Sequence, residues 1–141
     1  MTFASMAARL TRAATAPAYR SFLRTLESPS LAQERLLRWL IEDSAGSQYG
    51  RHFDLQRTDD LTAFAKKIPI ASYEHYRPWV ERAVFDDNAR VLSTHPIVRV
   101  EATSGTSSGV KWIPYTRPMM ATFRRMFTLW AHDLLRYHYR A

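Results

Sequence analysis

The sequence predicts an α/β chain, mostly helical, with two short strands flanking a Ser/Thr/Gly loop. Three patterns carry that expectation. Apolar residues recur at helical spacing before residue 42 and after residue 118, residues 97–102 alternate between apolar and charged side chains, and Gly105 and Gly109 lie between that alternation and a second extended run.

The first 26 residues hold Arg9, Arg12, Arg20 and Arg24 and no acidic residue before Glu27. Organelle transit peptides share that composition, as do basic amphipathic helices. Tyr19, Phe22, Leu23 and Leu26 fall at helical spacing, which favours a first helix packed on a core. No uninterrupted apolar stretch precedes a small-residue cleavage site, so the secretory pattern is absent.

Ser30 and Gln33 have the spacing of a capping box, which opens a second helix whose stripe is Leu36, Leu37, Leu40 and Ile41. That helix should stop before Gly46, leaving residues 46–54 as a loop that holds Tyr49, His52 and Phe53. A short helix follows over residues 59–67 with Leu61 and Phe64 inward. Pro69 forces Ile68 into extended geometry, because the ring clashes with a helical preceding residue.

Ser72 can cap the next helix, residues 73–85, in which Pro78 predicts a break or kink, with Val80 and Val84 buried beyond it. Asp86, Asp87 and Asn88 end it as a turn. Residues 97–102 then form a strand with Val98, Val100 and Ala102 on one face, and residues 111–115 form a second. The last helix starts near Pro118. Its stripe of Met119, Phe123, Met126, Phe127, Trp130, Leu134 and Tyr137 stands opposite Arg124, Thr128, His132 and Arg136. Two strands alone are marginal, so the chain reads as a single partial domain cut from something larger.

Composition narrows the chemistry. The 141 residues fit one domain, and no cysteine means no disulfide, thiolate metal site or cysteine nucleophile. The formal charge of +7 is dispersed rather than clustered, which disfavours a nucleic-acid partner, and no run is long enough to span a membrane. His52, His75, His95, His132 and His138 lack the spacing that puts two on one helical face, so no metal site is expected, and they read as surface or satisfied histidines. No G-x-S-x-G elbow is present, because the segment from Gly105 to Gly109 carries Thr106, Ser107 and Ser108 between its glycines.

That segment is the candidate site. Glycines let backbone amides approach phosphate oxygens, hydroxyls add donors and Lys111 adds a mobile positive charge. The same residues also suit a polar hairpin loop, whose glycines, serines and threonines serve the turn alone. A Walker A loop is excluded, since Val110 separates Gly109 from Lys111 and an extended segment follows.

Residues 103–116, TSGTSSGVKWIPYT, resemble the first nucleotide motif of the adenylate-forming superfamily. The closest resemblance is to the auxin-responsive Gretchen Hagen family of acyl-acid amido synthetases. Tyr49 with Gly50, Phe64 with Ile68, Pro69 and Ile70, Tyr73 with Glu74, residues 78–82 and residues 95–97 agree with that family in order, so the resemblance runs from Tyr19 onward. Plant members carry one more residue than Val110 between the second glycine and the lysine.

The resemblance implies an adenylate-forming fold and a cytoplasmic ligase that activates a carboxylic acid with ATP and passes the acyl group to an amine such as an amino acid. It implies that Ser104, Gly105, Thr106, Ser107, Ser108, Gly109 and Lys111 bind the ATP phosphates with Mg2+. Phe123, Phe127 and Trp130 would line the acyl-substrate pocket. The chain would be the N-terminal segment of the ligase domain with the remainder of that domain as a partner, and this segment alone is expected to be inactive, with no catalytic residue of its own. The alternative reading is a small basic helical module that binds nucleic acid or a partner protein.

Overall fold

The computed structural model describes residues 3–86, 90–103 and 109–138. The described elements are α1 (Phe3–Leu26), α2 (Pro29–Ala45), α3 (Gln48–His52), α4 (Leu61–Lys67), α5 (Tyr73–Phe85), β1 (Ile97–Thr103), β2 (Lys111–Thr116) and α6 (Arg117–His138). The chain divides into two units, residues 33–119 and residues 1–32 with 120–141.

The core of the 33–119 unit forms where the end of α2 meets α3. Ile41, Ser47, Tyr49, Leu55, Val80, Ala83, Val91 and Tyr115 are buried. Ser47 caps α3: its hydroxyl donates to the Ser44 carbonyl at 2.6 Å and accepts the Gly50 amide at 2.9 Å, which satisfies one of the helix's orphan donors. Residues 90 and 91 then receive the amides of Gln48 and Tyr49, each at 2.8 Å. Asp43 completes the junction by accepting from the Ser93 hydroxyl at 2.7 Å and from the Thr94 amide at 3.1 Å, as well as from the Thr94 hydroxyl.

Residues 46–54 are therefore not a plain loop. α2 stops at Ala45, before Gly46 as expected, but Gly50 permits a further helix, because it lies against the α2 terminus where any side chain would collide with backbone. At α2 itself, Pro29 is the first helical residue, so Ser30 lies inside the helix and cannot be its cap. Of the predicted stripe, Ile41 is buried and Leu36 and Leu40 are exposed.

α4 starts two residues later than the sequence suggests, because the Asp60 carboxylate caps it by accepting the Ala63 amide at 2.8 Å. Leu61 is exposed rather than inward. Ile68 is extended, with φ −99° and ψ 115°, as the following proline requires. α5 runs through Pro78 without a break, burying Val80 and leaving Val84 half-buried. Of the predicted turn after α5, Asp87 and Asn88 lie outside the described residues.

β1 and β2 pair antiparallel, from Thr103 opposite Lys111 to Arg99 opposite Tyr115, with the register shifted between Ile97 and Arg99. That bulge falls at Val98, which is exposed, so the alternation in the sequence does not become a simple buried face. α5 packs across the hairpin, chiefly on β2.

In the other unit α1 continues through Pro17 and buries Ala8, whereas Phe22, Leu23 and Leu26 stay exposed. The link between α1 and α6 is polar. The Thr15 hydroxyl lies 2.8 Å from the Thr11 carbonyl and forms a hydrogen bond with His132 Nδ1, also at 2.8 Å. Tyr19 stacks on the same imidazole, with ring centroids 4.4 Å apart, and donates to Asp133 at 3.0 Å. His132, placed by periodicity on the polar face, is thus buried, while Phe127 and Trp130 of the apolar stripe are exposed.

Candidate functional site

Of the residues the sequence nominates for phosphate binding, Ser104, Gly105, Thr106, Ser107 and Ser108 lie outside the described residues. Gly109 and Lys111 are described, at the start of β2. Gly109 has φ +81°, a left-handed conformation that suits glycine, and among the described residues a Cβ built there would meet no atom within 4 Å. Lys111 pairs with Thr103, so the two strand ends that border residues 104–108 are held together.

The first turn of α5 meets β2 at this point. Ser72 is extended and starts the helix without a side-chain cap bond, and Tyr73, Glu74 and Arg77 follow. The Trp112 amide donates to the Tyr73 hydroxyl at 2.8 Å, and that hydroxyl faces the Trp112 carbonyl at 3.5 Å. The Tyr73 ring lies beneath two cations, Lys111 Nζ at 5.6 Å and the Arg77 guanidinium at 5.1 Å from its centroid.

Arg77 grips Glu74 through two bonds, Nε to Oε2 at 2.8 Å and a terminal nitrogen to Oε1 at 3.0 Å. It also donates to the Val110 carbonyl at 3.3 Å. These bonds hold the Glu74 carboxyl below the usual carboxylate range, with Lys111 adding a smaller pull in the same direction. Glu74 in turn raises the Arg77 guanidinium, which stays charged at any relevant pH. Sequence reasoning passed over Tyr73 and Arg77 as site residues. Their signal is the four-residue spacing, which sets both on one face of α5.

The acyl-side nominations fall in the other unit. Phe123 is half-buried, and Phe127 and Trp130 are 59% and 62% exposed, so their described surroundings do not close a pocket. A cleft of about 710 Å³ opens in the 33–119 unit beside β1, with Arg90, His95 and Arg99 among its walls. Among the described residues, no three acidic or histidine side chains gather as a metal cage. No described helix is long and apolar enough to cross a membrane.

With the geometry in place, comparison with known proteins is specific. The profile of the GH3 family N-terminal domain matches residues 18–141. Among curated relatives, indole-3-acetic acid-amido synthetase GH3.8 of Oryza sativa subsp. indica is 36% identical over 77 residues, which is 55% of this chain and 13% of that protein. Putative indole-3-acetic acid-amido synthetase GH3.10 of Oryza sativa subsp. japonica is 37% identical over 91 residues, 63% of this chain and 19% of that one. The solved structure of AtGH3.15 acyl acid amido synthetase in complex with 2,4-DB superposes with a TM-score of 0.72 at 27% identity, covering 85% of this chain and 21% of that chain. The chain thus spans about a fifth or less of the length of the relatives it matches. Matched by its family profile over residues 18–141, the chain belongs to the GH3 family, through that family's N-terminal domain.

Proposed function

We propose that this chain supplies the phosphate-binding end of an ATP site in an acyl acid amido synthetase, as one partial domain of that ligase. The observation that carries the reading is a left-handed Gly109 two residues before Lys111, the first residue of β2. A phosphate oxygen over Gly109 would meet backbone rather than side chain, and Lys111, whose ammonium stands over the Tyr73 ring, is two residues away. Ser104, Gly105, Thr106, Ser107 and Ser108 would add amides and hydroxyls to the same oxygens.

The residues present fit a nucleotide that brings its own metal. Glu74 is the nearby carboxylate and is held by Arg77, so Mg2+ would be carried mainly by the phosphate oxygens. Bound there, Mg2+ would neutralise charge that builds on pyrophosphate as it leaves. The chain's own part is positioning and charge: amides aimed at the phosphates, and Lys111 beside them. The carboxylic acid and the amino acid would be the other substrates, with Phe123, Phe127 and Trp130 supplying apolar wall once further polypeptide covers α6. A cytoplasmic location goes with this reading.

Titration of the chain with Mg·ATP, followed by amide NMR, tests it. Gly109, Val110 and Lys111 amides should shift together and Lys111→Ala should weaken the response. Shifts confined to other surfaces would overturn the phosphate site. Pyrophosphate release with ATP, Mg2+ and a panel of acids should stay at background for the chain alone, and acid-dependent release would overturn the partial-domain assignment.

A further inference from the structure

We infer that Tyr73 and Arg77 are positioning residues for Lys111, fixing where its ammonium stands at the head of β2. The inference rests on the phosphate-site reading above and adds to it a support on a different element, the first turns of α5.

Among the described residues, β2 pairs along one edge only, with β1. A strand edge presents unpaired amides and carbonyls, and at Trp112 that edge is occupied by a side chain: the Tyr73 hydroxyl takes the amide at 2.8 Å and faces the carbonyl at 3.5 Å. One hydroxyl therefore fixes the backbone of the residue next to Lys111. On the other side of Lys111, the Val110 carbonyl accepts from Arg77 at 3.3 Å. Both neighbours of Lys111 are thus tied to a single helix face.

The lysine side chain is addressed as well. Four methylenes give Lys111 many rotamers, and ordering them costs up to about 2 kcal/mol. The Tyr73 ring, with its centroid 5.6 Å from Nζ, draws the ammonium toward one direction. Arg77, over the same ring at 5.1 Å, is held in place by its two bonds to Glu74. Glu74 thereby keeps Arg77 on Val110 and the ring, and its negative charge lies near enough to Lys111 to act on it. A charge that is already directed binds a phosphate more tightly than one that must first be ordered.

A double-mutant cycle on the full 141-residue chain tests this, with tripolyphosphate as the probe at fixed ionic strength and amide NMR as the readout. Lys111→Ala should weaken tripolyphosphate about tenfold, the scale of one charged contact. In a Tyr73→Phe background the same change should cost less than about threefold, because the Trp112 backbone beside the lysine is no longer held by the hydroxyl. Lys66→Ala on α4 is the control for net charge and should change little. A Tyr73 that only stabilises the fold would leave the Lys111 effect undiminished, and that additive result overturns the inference while leaving the phosphate site intact. Absence of any Lys111 effect in the parent chain overturns the phosphate site and the inference together. If Tyr73→Phe loses its dispersed amide spectrum, the cycle is run with Arg77→Gln, for which the same coupling is expected and additivity is again the contrary result.

Discussion

A Cβ on Gly50 would stand 2.0 Å from the Ser44 carbonyl oxygen and 2.7 Å from its carbon. Both are backbone atoms at the end of α2, so neither can rotate away. Gly50→Ala should therefore force α3 off α2, at a cost of about 3 kcal/mol or more, the upper end for overpacking. Gly46→Ala meets the Thr94 methyl at 2.6 Å, a side chain whose hydroxyl is tied to Asp43, and should cost less. Urea unfolding of the two variants measures the order. A Gly50→Ala chain as stable as the parent would mean that α2 and α3 are not packed as described.

The same glycine shows what was legible in the sequence and what was not. Local chemistry read well: Pro69 made Ile68 extended, Ser72 preceded α5, and the strands began at Ile97 and Lys111 as their side-chain pattern suggested. Tertiary contact did not read. Nothing local says that Gly50 must be bare because Ser44 lies against it, so the sequence suggests a loop where α3 forms. His132 has a polar partner, Thr15, that lies 117 residues away, so periodicity put it on the wrong face. At the candidate site the glycines and Lys111 stand out by composition, whereas the spacing of Tyr73 and Arg77 shows that they share a face of α5 but not that this face meets Trp112 and Val110, 39 and 33 residues away.

Four shifted groups give the stability a defined pH profile. Asp59 is held below its ordinary 3.8, first by Lys67 and then by the Gln56 amide, and Glu74 is held below its ordinary 4.5 by Arg77. Depressed carboxylates stabilise the fold above those ordinary values, and that contribution drains as the pH falls through the lowered ones. Tyr49 is raised, chiefly by burial, and Tyr115 chiefly by its bond to Glu101, from an ordinary 10.0. Their contribution is complete below pH 10 and is lost as the pH climbs beyond it. Urea midpoints for Asp59→Asn should lie below the parent at neutral pH and converge with it in acid. Tyr115→Phe should converge with the parent in alkali instead. Curves that run parallel at either end would show that the group concerned is not linked to folding.

Phe127 and Trp130 are both more than half exposed on α6, beside the exposed Met126 and Leu134. A contiguous apolar patch of this kind draws dyes and other copies of the chain. The isolated chain should bind a hydrophobic dye and self-associate in sedimentation, and Phe127→Ser with Trp130→Ser should reduce both. A parent chain that sediments as a monomer and ignores the dye would mean this face is covered in solution.

Gly109 separates a turn from a phosphate cradle, because its left-handed φ of +81° and the open space around its Cβ make different demands. Alanine there meets no atom of the described residues, so its cost to folding is chiefly the backbone strain, about 1 to 2 kcal/mol. Asparagine tolerates the left-handed region far better, since its short amide bonds locally, and Gly109→Asn should unfold in urea close to the parent. If Gly109 only makes the turn, Asn restores everything that Ala disturbs. If its bare face receives a phosphate oxygen, any side chain stands in the way, and Gly109→Asn should lose most of the tripolyphosphate and Mg·ATP response while folding normally. The contrast between stability and binding in that one variant decides the matter: binding retained in Gly109→Asn assigns the glycine to the turn and removes the strongest structural support for a phosphate site at the head of β2.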